Sequence, residues 1–386
     1  MKICFAVRAL PVHRLGGLEF HALDLADNLA KRGHGVTVFT SRHPAGLEAE
    51  ELPSGVRIQY LSCGTPGDYT RSFYSQLGRE IAAFETREAP DVIHSHEFAG
   101  LFLQARRARL YCSIHGTMFS EVPLSRKYIP HLSLTDKVRS IWRYKSRILL
   151  NPAFRRMLIR ANRLVVDSNY TKAELTLIKP DLAPKTSKVT LGVDQSRYSC
   201  KPRSPINITA PLTLIHLGRI QEMKGLPDVL AAACTLRDRG VKFRIIIGGT
   251  GDYLETLRRK VASSGLQSHV DLRGRIPADA VSDFLAEGDL FLFPDRTQPA
   301  FGLVAVEAML HGLPIIGTRC GAIPETVTED VGWLYNAWDA PGLATLIQGI
   351  AADHSTLAAK AAAAREKSKW YNAQRMASDM EAVYNS

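Results

Sequence analysis

Residues 290–318, LFLFPDRTQPAFGLVAVEAMLHGLPIIGT, read as strand, loop, helix, turn and strand, with one carboxylate, Glu307, inside an otherwise apolar helix. Leu290 to Phe293 is a short apolar strand that Pro294 ends, and Phe301-Gly302 permits a tight turn before Val304, Ala308 and Leu310 take up helical spacing. Gly312, Leu313 and Pro314 stop that helix and feed a second strand, Ile315 to Thr318. A loop at a strand's carboxyl end, followed by a helix whose first amides point back at the loop, is where an open α/β sheet holds an anionic ligand. From the local sequence Glu307 either reaches a hydroxyl of such a ligand or lies on a solvated helix face.

Outward from this segment the alternation continues in both directions. Before it, strand-like runs at Leu212 to Leu217, Lys242 to Gly248 and Val270 to Arg273 alternate with helical patterns, and Gly332 to Tyr335 follows it. The first half repeats the rhythm with Lys2 to Val7, Gly35 to Thr40, Val56 to Leu61, Asp91 to Ser95, Leu110 to Ile114 and Arg163 to Asp167. Phe20, Leu23, Ala26 and Ala30 recur at helical spacing after Gly16-Gly17. Alternating β and α at this interval predicts α/β architecture: parallel sheets with helices on both faces, in two doubly wound, Rossmann-like domains with a cleft between their strand ends. Residues 1–200 are expected to form the first domain and 212–367 the second. The proline-rich stretch 201–211 reads as the linker, and 368–386 as a further helix.

The chain has 386 residues and a formal charge of +11. Its length suits two or three domains of roughly 100–200 residues. No run reaches the roughly 18 apolar residues of a membrane span, and Arg8 and Arg14 interrupt the N-terminus where a signal peptide would be apolar, so a cytoplasmic protein is expected. The six cysteines form no C-x-x-C pair and read as reduced thiols. Between Arg126 and Arg163 eleven cations face one acid, Asp136, interleaved with Ile141, Trp142, Phe154 and Met157. That basic amphipathic segment, 126–163, is expected to meet an anionic membrane surface, worth on the order of 1 kcal/mol per nearby cation; the competing reading is a solvated helical face. Without an interleaved recognition motif it does not indicate nucleic acid.

Each half opens with strand, loop and helix. Gly16-Gly17 precede the first helix, and HLGRIQEMKG places Arg219 and Lys224 before the corresponding helix of the second half. Glycines admit backbone amides to a ligand, and a guanidinium with a flexible ammonium in one loop suits a diphosphate. His94 and His96 end one strand and His115 the next, where chemistry sits in such folds. His94-x-His96 lacks a third ligand of suitable spacing, so no metal site is expected. Ser168 reads as a helix N-cap rather than a nucleophile.

These residues resemble the group 1, or family 4, retaining glycosyltransferases of the GT-B fold. The resemblance rests on GGLE at Gly16 to Glu19, DVIHSH at Asp91 to His96, IHGT at Ile114 to Thr117, VDSNYTK at Val166 to Lys172, LGVD at Leu191 to Asp194, GRIQEMKG at Gly218 to Gly225, GGTGD at Gly248 to Asp252 and FGLVAVEAMLHGLPII at Phe301 to Ile316. It implies transfer from a nucleotide diphosphate sugar without a divalent metal or other cofactor, Arg219 and Lys224 taking up the leaving group's charge. It also implies that Glu307 binds the ribose, Arg275 lies near the base, and Gly218, Gly251, Phe301, Gly302, Leu303 and Val304 line the donor. Gly16, Gly17 and Glu19 would sit on the phosphate side and His115 at the sugar's hydroxymethyl. The last helix would cross back to the first domain, and the acceptor would be a carbohydrate or lipid-linked hydroxyl. A sugar-nucleotide epimerase or a non-catalytic binding relative shares the fold. One departure stands out: counting back from Glu307, the family's first glutamate falls on Pro299. Either donor-sugar selection is altered, with Gln298 or Asp295 as substitutes, or backbone amides suffice.

Overall fold

The computed structural model describes residues 1–13, 16–117, 151–199 and 211–386. Residues 126–150 of the basic segment and 201–210 of the expected linker lie outside the described residues. The chain divides into two compact units, Met1–Asp194 with Ala373–Ser386, and Gln195–Asn372.

Unit 1 is built on eight strands: β1 (Lys2–Ala6), β2 (Gly35–Thr40), β3 (Ala49–Glu51), β4 (Arg57–Tyr60), β5 (Val92–His96), β6 (Arg109–Ile114), β7 (Arg163–Val166) and β8 (Thr186–Lys188). They lie in the order β3-β4-β2-β1-β5-β6-β7-β8, all pairs parallel except β3 with β4. The central strands β1, β5 and β6 are almost continuously buried, as expected of strands covered by helices on both faces. The order reverses between β1 and β5, whose register pairs Ile3 with Val92 and Phe5 with His94.

Unit 2 has six parallel strands, β9 (Leu212–Leu217), β10 (Phe243–Gly248), β11 (Val270–Gly274), β12 (Leu290–Phe293), β13 (Ile315–Thr318) and β14 (Gly332–Tyr335), in the order β11-β10-β9-β12-β13-β14. That is the 3-2-1-4-5-6 order of a dinucleotide-type sheet, with its switch point between β9 and β12. The core packs Leu214, Ile245, Ile247, Leu290 and Leu292 against Leu226, Val229 and Ala233 of the helix Leu226–Asp238.

Three sequence expectations differ from the fold. The edge strands β3 and β8 were unforeseen because AEE and TSK are short and polar. On the helix Gly17–Lys31 the buried face holds His21, Ala22, Asp24, Leu25, Ala26, Asn28 and Leu29, not the stripe through Phe20, Leu23 and Ala30. Two of its polar members bond along or beyond the helix: Asn28 Nδ2 donates to the Asp24 carbonyl at 2.8 Å, and Asp24 Oδ2 accepts from the Asp194 amide at 3.2 Å. Finally, the helix expected over 368–386 does not start at 368. A helix Leu357–Ser368 ends there, two turns follow, and Ala373–Tyr384 is a separate helix belonging to unit 1. It is fixed by Tyr384 Oη, 2.6 Å from His94 Nδ1, and by the Gly192 amide donating to Met376 Sδ at 3.3 Å. Among the described residues, no helix is long and apolar enough to cross a membrane.

Candidate functional site

In unit 2 the predicted donor residues collect at the carboxyl edge of the sheet. Gly218 and Arg219 follow β9, Gly251 follows β10, Arg275 follows β11, and Phe301 to Val304 close the loop after β12. Close backbone approaches set this edge. A Cβ on Gly251 would lie 2.1 Å from the Ile220 carbonyl oxygen, and one on Gly225 (φ +75°) would lie 1.7 Å from that of Pro294. Gly302, at φ +109°, turns the chain into the helix Leu303–Leu310 against the Phe293 ring.

Arg219 is exposed. Lys224 is held by the Asp295 carboxylate, which is 1% exposed and also accepts from the Thr297 amide (2.8 Å) and hydroxyl (2.6 Å). Of the two suggested substitutes for the missing glutamate, Asp295 is thus already paired with Lys224, and Gln298 is exposed. Pro299 is tied down through its carbonyl, which accepts from the Ala322 amide at 2.8 Å. Behind this loop Arg296 forms a buried two-pronged pair with Asp228, and its guanidinium lies 3.6 Å from the centre of the Trp338 ring.

Glu307 is not on a solvated face. Burial raises its pKa, while Tyr198 and Arg197 counteract the rise, and Tyr198 Oη donates to Glu307 Oε1 at 3.0 Å. Nothing local in the sequence pairs Tyr198 with a residue so far along the chain.

In unit 1 the end of β5 and the loop after β6 bring His96 and His115 beside Val7, Arg8, Leu18, Glu19, Tyr69 and Glu97 around one pocket. His115 Nδ1 donates to both Asp167 oxygens at 2.9 Å. Burial alone would lower the His115 pKa, but the charge and hydrogen bonds of Asp167, with Glu97, raise it overall. Arg8 Nη2 donates to Glu19 Oε1 at 3.2 Å, and a Cβ on Gly16 would lie 2.3 Å from Glu19 Oε2. The carboxylate thus already faces the helix start at Gly17 that the sequence assigns to phosphate. Glu97 has φ +50°, a strained backbone for a non-glycine residue at the pocket's edge.

His94 points elsewhere, its Nε2 2.8 Å from Ser113 Oγ and its Nδ1 at Tyr384, so it joins the sheet to the terminal helix. In its place His21 completes a group: among the described residues, the ligating nitrogens of His21, His96 and His115 lie within 4.8 Å of one another. Sequence reasoning missed Arg8, His21, Glu97 and Asp167. Only an inward-facing polar stripe on the first helix would have signalled His21. Ser168 caps its helix as expected, its Oγ accepting from the Thr171 amide at 3.2 Å.

Two family models match the chain, "Glycosyltransferase Family 4" over residues 15–197 and "Glycosyl transferases group 1" over 211–353. Among curated proteins it is 26% identical to the phosphatidylinositol N-acetylglucosaminyltransferase GPI3 subunit of Saccharomyces cerevisiae, over 82% of this chain and 68% of that one. It is also 26% identical to glycogen synthase of Mycobacterium tuberculosis, over 95% and 90%. To the putative colanic acid biosynthesis glycosyltransferase WcaL of Escherichia coli it is 34% identical, over 46% and 45%. Of solved structures, sucrose-phosphate synthase from Thermosynechococcus elongatus superposes with a TM-score of 0.79 at 20% identity, covering 100% of this chain and 98% of that one. Anabaena HepE, solved with UDP and glucose, gives 0.71 at 18%, covering all of both chains. With one family model on each half and the same fold across the whole length, the chain belongs to the family 4, or group 1, glycosyltransferases of the GT-B fold.

Proposed function

We propose that the protein transfers a sugar from a nucleotide diphosphate donor to a hydroxyl acceptor with retention of anomeric configuration and without a divalent metal. The observation that carries this reading is the set of groups on the carboxyl edge of the unit 2 sheet: Arg219, Lys224 fixed by buried Asp295, and shielded Glu307 on the helix after β12. Lys224, held by Asp295, and Arg219 on the same loop can take up the charge that develops on the diphosphate, the task a metal ion performs elsewhere. Glu307, already accepting a hydroxyl proton from Tyr198, has the acceptor chemistry a ribose diol needs.

In the reaction the bond from the anomeric carbon to the diphosphate oxygen breaks as the acceptor oxygen bonds the same carbon on the same face. The acceptor's proton passes to the departing phosphate oxygen. No enzymic nucleophile is required, and catalysis rests on positioning and electrostatics. His115, held by Asp167, is assigned to the donor sugar's hydroxymethyl.

The names of the relatives divide between a phosphatidylinositol acceptor and polysaccharide assembly, and the basic segment 126–163 favours an acceptor at an anionic membrane surface. A hydrolysis screen with UDP-, GDP-, ADP- and TDP-sugars, run with and without EDTA, tests the donor half. Turnover of one base class, unchanged by EDTA and abolished in Lys224→Ala, is expected; turnover that EDTA removes would overturn metal independence. Co-sedimentation with anionic vesicles tests the surface: binding at low salt that high salt releases is expected, and none at low salt rejects it.

A further inference from the structure

We propose that His21, His96 and His115 form a three-nitrogen site for a divalent transition-metal ion of the zinc class, separate from the needs of transfer. The three ligating nitrogens already lie within 4.8 Å of one another. Zinc–nitrogen bonds of about 2.0–2.1 Å put tetrahedral ligands roughly 3.4 Å apart. His115 Nε2 and His96 Nδ1, at 3.5 Å, already have that separation. A nitrogen of His21 lies within 4.8 Å of both.

The donors sit on rigid elements, one on the helix Gly17–Lys31, one at the end of β5 and one just after β6. Both nitrogens of His21 and Nε2 of His96 are buried with no hydrogen-bond partner, at 2% and 5% residue exposure. Buried imidazole nitrogens normally find a partner; His21, with neither nitrogen paired, has an open ligand position, while His96 enters the set through Nδ1, beside His115 Nε2. His115 adds the arrangement typical of a metal-bound histidine: a carboxylate, Asp167, holds Nδ1–H and so leaves the Nε2 lone pair toward the other two rings. The pocket beside His96 and His115 is also lined by Glu97 and by Glu19, the latter paired with Arg8, and an open fourth position there is where a water would complete a tetrahedral ion.

Occupancy ties up His115 Nε2, so the ion inhibits transfer rather than supports it. That consequence rests on the role given to His115 above; binding itself does not. The experiment uses the full chain stripped with a chelator and titrated with ZnCl2 against a chromophoric competitor, with thermal denaturation in parallel. One zinc per chain is expected, with a raised Tm. Affinity should fall at least tenfold in His21→Gln and in His96→Asn, and about 10–100-fold in Asp167→Asn. Binding of equal strength in whichever of these variants folds, or no zinc-dependent rise in Tm of the wild type, overturns the site. Zinc should inhibit donor hydrolysis by the wild type but not by His21→Gln. Tight binding without inhibition keeps the site and removes His115 from the donor.

Discussion

His94, His96 and His21 in unit 1 and His216 in unit 2 are held neutral. Burial, ahead of every other influence, lowers each of them, to about 3 for His94 and about 4 for His216. In the unfolded chain the same rings protonate near ~6.5. The unfolded state therefore takes up protons first as the pH falls. The stability these rings provide is whole above about 6.5 and is lost progressively toward the native values. His115 runs the other way: with a raised pKa it favours the folded state below ~6.5 and loses that contribution as the pH rises through its folded value. In unit 1, where burial lowers His13 as well, four rings against one predict a fall in that unit's Tm on the order of 10 °C between pH 7 and pH 5, measurable by scanning calorimetry. A flat Tm across that interval would contradict the burial of these rings. At this scale the sequence was informative about residue type and position but not about partners. His115, Lys224 and Glu307 could be read from their places in the strand, loop and helix pattern, whereas Asp167, Asp295 and Tyr198, which respectively hold them, come from far along the chain, where no spacing rule reaches.

The unit 2 loops follow from backbone meeting backbone. Gly225 stands at φ +75°, where a Cβ would collide with the Pro294 carbonyl, and the neighbouring Lys224 depends on that approach to reach Asp295. Gly225→Ala is expected to lose at least ~2 kcal/mol of stability and to raise KM for the donor more than it lowers kcat. Denaturant unfolding and donor kinetics check it, and a variant with wild-type KM would separate the glycine from the cation. Elements were legible where burial was two-sided, because β12 is an unbroken apolar run and β9 and β13 are mostly apolar. They were illegible where an element is polar at an edge, as in β3 and β8, or where its buried face carries polar groups, as in the helix Gly17–Lys31. Hydropathy patterning assumes that what is inside is apolar, and the first helix breaks that assumption beside its pocket.

At the scale of the whole chain, unit 1 is discontinuous: its helix Ala373–Tyr384 lies beyond all of unit 2 in sequence. Ala373, Met376, Ala377, Met380 and Tyr384 of that helix are buried, and Glu381 pairs with Arg32 and with His34 at 3.1 Å. Removing residues 373–386 should destabilise unit 1 by on the order of 5 kcal/mol or more while leaving unit 2 folded. Two calorimetric transitions, of which only one moves, are the expected record, and an unshifted pair would show the helix to be dispensable. Alternation of strands and helices predicted the two-unit architecture, but the break within the tail depends on which residues Tyr384 and Met376 meet.

The same discontinuity orders events during synthesis. Residues 195–372 are contiguous and can complete their sheet while the ribosome is still working. Met1–Asp194 emerges first, yet waits roughly 10–35 s, at about 5–20 residues per second, for the helix that covers His94 and Tyr111. Through that interval the sheet lacks one of its covers, and the surface at His94 and Tyr111 stays open until the last residues of the helix arrive.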